Sequence, residues 1–390
     1  MLLKNVFCSF VIIIAFISCN NNVGPDTSND VNNAPVIPSN WVIADTGGIL
    51  GFSQLAFGNG RFIVSGPQGA LSSTNGINWS PVNLGAALGS EEIQVALFVG
   101  NRWVAAGVNN TLGVSTNGIN WTVVEQLSFG TWGQNMFLRI TNTGTAHSTD
   151  LINWTYHNDN VIANIVGGAS TIRVAHGNGM WVVGAMVFGG SSGRMAYSTN
   201  GISWTAVAES PLTTNIEHLA YGNGRFVAIN SNHQTLFSSN GINWSAGTDL
   251  NNARHLHSGI TPLNFAPWAF ISHFDGRFIM EIGHGRIAYS MNGEIWSVFP
   301  IFDDDSTTAG SGGGTFNPGF VHGGGTFVFH GLDVKNNVGQ PSRIVYTRDF
   351  NNLADADLDG IFDGTRILEM AFGNRRFVAL GHDGTIAYSN

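Results

Sequence analysis

Cysteine is nearly absent. The chain holds two in 390 residues, Cys8 and Cys19, both close to the N-terminus. No disulfide framework can staple the remainder, which must be held by packing and hydrogen bonds. Charge is scarce too, with 11% of residues ionic, and this excludes a polyampholytic disordered chain. Nearly all basic residues are arginine, none are clustered, and the net charge is −9. A phosphate-backbone partner is excluded on those grounds, so no nucleic acid is expected. The apolar run at residues 6–17 is too short to span a bilayer. What abounds is glycine, at 51 residues, with 26 Phe and 11 Trp. That mixture suits many short strands joined by tight turns, and a closed repeat can absorb the whole length as one domain.

Lys4 ahead of the apolar run, and a polar stretch after it, read as a signal peptide. Phe16-Ile17-Ser18-Cys19 resembles the bacterial lipobox, in which a small residue precedes an invariant cysteine. The resemblance implies diacylglycerol transfer to the Cys19 sulfur and cleavage before it. Residues 1–18 are then the signal peptide and 19–37 a lipidated cysteine with a flexible Asn-rich tether. The expected location is the bacterial cell envelope, periplasmic or cell-surface, with the lipid as the only membrane contact. An ordinary signal peptide that happens to contain cysteine is the alternative.

Two motifs alternate through 38–390. The first is a turn followed by an aromatic strand, as in Phe57-Gly58-Asn59-Gly60-Arg61-Phe62 and Tyr221-Gly222-Asn223-Gly224-Arg225-Phe226. From Phe62 its aromatic returns at Trp103, Phe137, Trp181, Phe226, Phe278, Phe327 and Phe377, at spacings of 41, 34, 44, 45, 52, 49 and 50. These approximate the length of a four-stranded propeller blade. The second motif, Ser73-Thr74-Asn75-Gly76-Ile77-Asn78-Trp79, recurs at 115–121, 148–154, 198–204, 238–244 and 290–296, and in decayed form at 347–353. Asn-Gly tolerates the positive φ of two-residue hairpin turns, so each unit reads as three hairpins. The chain stops at Tyr388-Ser389-Asn390, where the second motif should enter its Trp strand, and Ser39-Asn40-Trp41-Val42 supplies that strand from the other end. The expected fold is an all-β propeller of eight four-stranded blades, closed by the N-terminal strand in the last blade. Seven is the alternative if the units around Phe137 or Phe327 are not blades.

The second motif resembles the Asp-box, or BNR repeat, of sialidase-like propellers, with Asn usually replacing Asp and Asp kept at Asp150 and Asp349. The resemblance covers nearly all of 38–390 and implies the fold. Unrelated activities share it. The Arg-Ile-Pro segment that marks sialidases is absent, the nearest match being Arg343-Ile344-Val345, so sialidase activity is not expected. The arginines of the first motif, such as Arg61, Arg225 and Arg376, read as scaffold.

The position just before each first strand carries Gln54, Arg173, His218 and Glu369 in four units, and apolar or glycine residues in others. Variation at one repeat position points to a ligand-facing cup. Trp268 lies in a long inter-blade loop with Arg254, His255 and His257, and an exposed indole there can stack on a sugar. Arg173, His218, Trp268 and Glu369 are therefore the candidate ligand residues, with ordinary loop ends as the alternative. No catalytic residue is assigned. The expected function is binding of a glycan or protein ligand on the loop-rich face by a monomeric, membrane-anchored propeller. A carbohydrate-active enzyme, hydrolase or lyase, with acids in the central funnel is the alternative, and an adhesion module stands third.

Asp355-Ala356-Asp357-Leu358-Asp359-Gly360-Ile361-Phe362-Asp363 sets carboxylates at loop positions one, three, five and nine, with Gly at six and the Ile361 carbonyl at seven. Hard oxygen ligands at this spacing suit Ca²⁺. Position twelve is Arg366, not the Glu of an EF-hand. The loop resembles the calcium loops of integrin α-subunit propellers, and that resemblance implies a structural Ca²⁺. A solvated acidic loop is the alternative.

Overall fold

In the computed structural model the described residues are 35–47, 51–67, 69–82, 93–107, 112–124, 131–187, 194–208, 214–250, 271–283, 286–301, 319–332, 342–363 and 365–390. Among them, thirty-two strands form eight four-stranded antiparallel sheets, the blades of an eight-bladed β-propeller. Their first strands begin at Gln54, Ile93, Thr131, Ala169, Ile216, Ile271, Gly319 and Ile367, and we number the blades in that order. The units around Phe137 and Phe327 are both full blades, so the count is eight. Blades 7, 8, 1 and 2 fall in one compact unit and blades 3 to 6 in another.

Blade 5 shows how the repeat works. Ile216–Gly222 pairs with Arg225–Asn230, placing Tyr221 opposite Phe226. The two residues between them, Asn223 and Gly224, have φ of 48° and 73°, as a primed hairpin turn demands. The facing rings are 4.7 Å apart, an aromatic cross-strand pair. Phe57 and Phe62 repeat it at 4.6 Å, and Phe372 and Phe377 at 4.6 Å. His176, His273 and His322 take the first-strand place against Trp181, Phe278 and Phe327. All eight second-strand aromatics are fully buried. Six of the eight first-strand rings then lie over the glycine ending the first strand of the preceding blade, among them Tyr221 over Gly177, His273 over Gly222, Phe372 over Gly323 and Phe57 over Gly373. No Cβ fits there, so these glycines set how closely blades approach.

The second motif uses its Asn-Gly differently. In Ser73–Trp79 the Gly76 φ is 74°, while Asn75 stays out of the left-handed region. Asn75 works through its side chain, whose Oδ1 accepts from the Ile77 and Asn78 amides at 2.9 and 3.0 Å. Ser73 Oγ accepts from the Gly76 amide at 2.8 Å, and Trp79 Nε1 donates to the Gly76 carbonyl at 3.1 Å. The same bonds recur in blades 5 and 6. In blade 8 the motif is split between the termini. Trp41 pairs with Ser389, Val42 with Tyr388 and Ile43 with Ala387, and Trp41 Nε1 donates to the Pro38 carbonyl at 3.1 Å. Val36, within the segment expected to be tether, donates to the Gly324 carbonyl at 3.0 Å and accepts from Thr326 Oγ1 at 2.7 Å, so the ordered domain begins before residue 38.

Candidate functional site

The eight first strands carry a polar residue three positions before their aromatic only in some blades, and the structure shows what those side chains do. Glu369, in blade 8, reaches the first strand of blade 1, where its Oε2 accepts from the Leu55 amide at 2.6 Å. It keeps a little accessible surface, yet loss of solvent pushes its carboxyl up to about 7, against the opposing pull of the Leu55 bond. Arg173, in blade 4, does the same with opposite polarity. Its Nε donates to the Glu217 carbonyl of blade 5 at 2.7 Å. Glu217 is the extra residue of a β-bulge between Ile216 and His218. Bulges leave a backbone group off the ladder, and the guanidinium takes it.

His218 is 4% exposed. Burial, then the charges of Arg173 and His233, lower its pKa to about 3, so the ring is neutral. Its Nδ1 has no hydrogen-bond partner, and neither has the buried Oε1 of Gln54. Blade 7 solves the same position another way. Gly319 leaves room that the imidazole of His330, opposite it on the second strand, fills. His330 is buried, which lowers its pKa to about 4. Sequence reading missed His330. Its only signal was a glycine at a variable position with a histidine facing it across the ladder.

Of the expected ligand residues, Arg173 and His218 are brought together in neighbouring blades 4 and 5, and Glu369 is set beside Gln54 and Leu55 in blades 8 and 1. Trp268, with Arg254, His255 and His257, lies outside the described residues, as does Cys19. The turn arginines are scaffold: Arg376 donates to the Ser389 and Asn75 carbonyls at 3.0 and 2.9 Å and lies over the Tyr388 ring. The turn asparagines also join blades. Asn374 Nδ2 donates to the Gly60 and Thr74 carbonyls at 3.0 and 2.6 Å, and Asn223 Nδ2 to those of Gly276 and Met291 at 2.6 and 2.8 Å.

The aspartate loop follows the last strand of blade 7. Gly360 has φ of 74°, the turn expected at position six. The loop fastens the N-terminal segment, because the Asp357 amide donates to the Ser39 carbonyl at 2.7 Å and Phe362 packs in the core cluster that holds Trp41. Two of its four carboxylates are already engaged. Asp355 Oδ1 accepts from Arg343 Nε and Nη2 at 3.0 and 2.6 Å, and Asp357 Oδ1 accepts from the Asp359 amide at 3.1 Å. Asp355, Asp359, Asp363 and Arg343 line a cavity of about 210 Å³. Among the described residues no three carboxylate or imidazole side chains converge as a metal cage. As arranged, Arg343 occupies Asp355 Oδ1, the first of the expected oxygen ligands.

No family model and no curated protein matches this chain. Solved structures resemble it. YCF48 bound to D1 peptide is 15% identical, covering 91% of this chain and 97% of its own, with a TM-score of 0.42. BamB from Moraxella catarrhalis is 12% identical over 89% of this chain and 95% of its own, with a TM-score of 0.48. The Dos1 propeller is 12% identical over 91% and 95%, with a TM-score of 0.48. Similarity at this level assigns no residue and no ligand to this chain.

Proposed function

We propose that this chain is an extracytoplasmic, lipid-anchored β-propeller that binds a protein or glycan ligand at the ends of the blades where the first strands begin. The observation that carries this reading is a pair of unsatisfied groups at one repeat position. Gln54 Oε1 and His218 Nδ1 are buried without partners. Leaving a buried polar group unpaired costs about 1–3 kcal/mol. The equivalents Glu369 and Arg173 find their partners in the backbone of the neighbouring blade, whereas Gln54 Oε1 and His218 Nδ1 do not; a ligand's polar groups would complete those bonds. YCF48, solved with D1 peptide bound, resembles this chain in outline only, so the ligand class rests on the chemistry of these positions. The test is a screen of glycans and of peptides against the full chain, with His218→Leu and Gln54→Leu as controls that lose the polar atoms.

One observation favours the enzymatic alternative. A carboxyl titrating at about 7, as Glu369 does, has the pKa a general acid needs at neutral pH. Hydrolysis or elimination of an oligosaccharide, abolished by Glu369→Gln, would decide for it.

The anchor rests on Cys19 and its flanking sequence, and the Cys19→Ala chain should leave the membrane fraction. Ca²⁺ at the loop of Asp355, Asp357, Asp359, Ile361 and Asp363 is part of the proposal on one condition: Arg343 must release Asp355.

A further inference from the structure

The third and fourth strands of blade 3, Gly144–Ser148 and Thr155–Asn158, set two histidines diagonally across their ladder. His147 pairs with Thr155, and His157 pairs with Thr145. Residues two apart on a strand share a face, so both imidazoles project from the same side. The rings lie within 8° of parallel with centroids 5.0 Å apart, and His157 Nε2 is 3.2 Å from His147 Nδ1. Both residues are half-buried, so solvent reaches them. The strands beneath are fixed: Thr145 Oγ1 donates to the Gly201 carbonyl at 2.9 Å, and Asp159 accepts from the Ile162 and Trp204 amides at 3.0 and 3.2 Å.

Two neutral imidazoles at this distance share one N–H···N hydrogen bond. The same separation is that of two nitrogens on a tetrahedral metal ion: ligand bonds of 2.0–2.1 Å at a tetrahedral angle hold them about 3.3 Å apart. We propose that His147 and His157 chelate a divalent transition-metal ion of the zinc, nickel and copper class, which takes the place of the shared hydrogen. The inward N–H moves to the far nitrogen of its own ring, a tautomer change that releases no proton when both rings are neutral. Imidazole nitrogens select this class over Ca²⁺ and Mg²⁺, which prefer oxygen. Two protein ligands leave the other coordination positions for water or for a donor from a bound partner. The site is independent of the first-strand positions discussed above.

The test is calorimetric titration of Zn²⁺ and of Ni²⁺ into the full chain, alongside the His147→Gln and His157→Gln variants. The chain carries 12 histidines, so the variants are needed to locate the site. One saturable site is expected in the wild type, weakened about tenfold or more by either substitution and not displaced by excess Ca²⁺. Absence of saturable binding, or variants that bind as the wild type does, overturns the proposal. Imidazole ¹⁵N shifts of the wild-type chain give a readout that needs no variant: Zn²⁺ must shift the two rings of this pair, and shifts confined to other rings overturn it.

Discussion

Glu369 and Leu55 meet across the boundary between the last blade and the first, the carboxylate accepting the amide at 2.6 Å. Arg173 meets the Glu217 carbonyl across the boundary between blades 4 and 5 at 2.7 Å. One repeat position thus supplies an acceptor to one blade's amide and a donor to another blade's carbonyl. Side chains of opposite charge do the same job because the backbone offers both partners.

The raised pKa of Glu369 makes stability depend on pH. Its folded value of about 7 lies above the ordinary value of 4.5, because burial outweighs the Leu55 bond. The carboxyl therefore stabilises the fold fully below about 4.5, and this contribution is lost as pH rises through 7. Glu369→Gln keeps an acceptor for Leu55 but cannot ionise. Relative to the wild type, the variant should gain about 1–3 kcal/mol between pH 5 and pH 8, allowing for partial exposure. Denaturant unfolding at the two pH values measures it. A constant difference would show that Glu369 ionises as freely folded as unfolded.

Much of this architecture was legible in the sequence. The eightfold aromatic, the Asn-Gly turns and the stray Trp41 strand are local signals, each with a mechanical reason. The inter-blade bonds were not legible. Asn223 and Asn374 read as turn formers, which they are, but nothing local tells that their amides reach a neighbouring blade. By its Asn-Gly sequence Asn75 reads as a positive-φ turn residue, and its work is to cap the turn with Oδ1. Arg343 gave no sign that it would hold Asp355, because their pairing depends on the register of two strands. Contacts set by packing between repeats leave no pattern within one.

The close approach of blades predicts an intolerant glycine. A Cβ at Gly177 would fall on the Tyr221 ring. Gly177→Ala should destabilise the chain by about 1–3 kcal/mol, because a packed ring must leave its place. Thermal unfolding checks it, with Gly179→Ala as a comparison: that site has open space but a φ of 70°, so its cost is one of backbone alone.

Fastening by the N-terminal strand predicts that removing residues 38–43 destabilises blade 8. Three paired residues are lost, together with Trp41, which is 5% exposed. Burial of such a side chain is worth about 1.5–3 kcal/mol, and the bared edge at Ile386–Ser389 invites association between molecules. Lower melting and a rise in light scattering are expected. Unchanged values would mean that the strand is dispensable.

Competition between Arg343 and a cation predicts a gain from deleting the arginine. Arg343→Gln frees Asp355, so millimolar Ca²⁺ should raise the melting temperature of the variant more than that of the wild type, by linkage. If neither chain responds to Ca²⁺ or to chelator, the loop is a structural clasp for the N-terminal segment and no calcium site.

The most direct test of the binding account is the affinity of the best ligand from a glycan and peptide screen, measured by titration calorimetry for the wild type, Arg173→Ala, His218→Leu and Glu369→Gln. The account predicts that at least one of these first-strand substitutions weakens binding about tenfold or more, near 1.4 kcal/mol, while far-UV circular dichroism is unchanged. Equal affinities in all four folded chains would contradict it and place the ligand elsewhere.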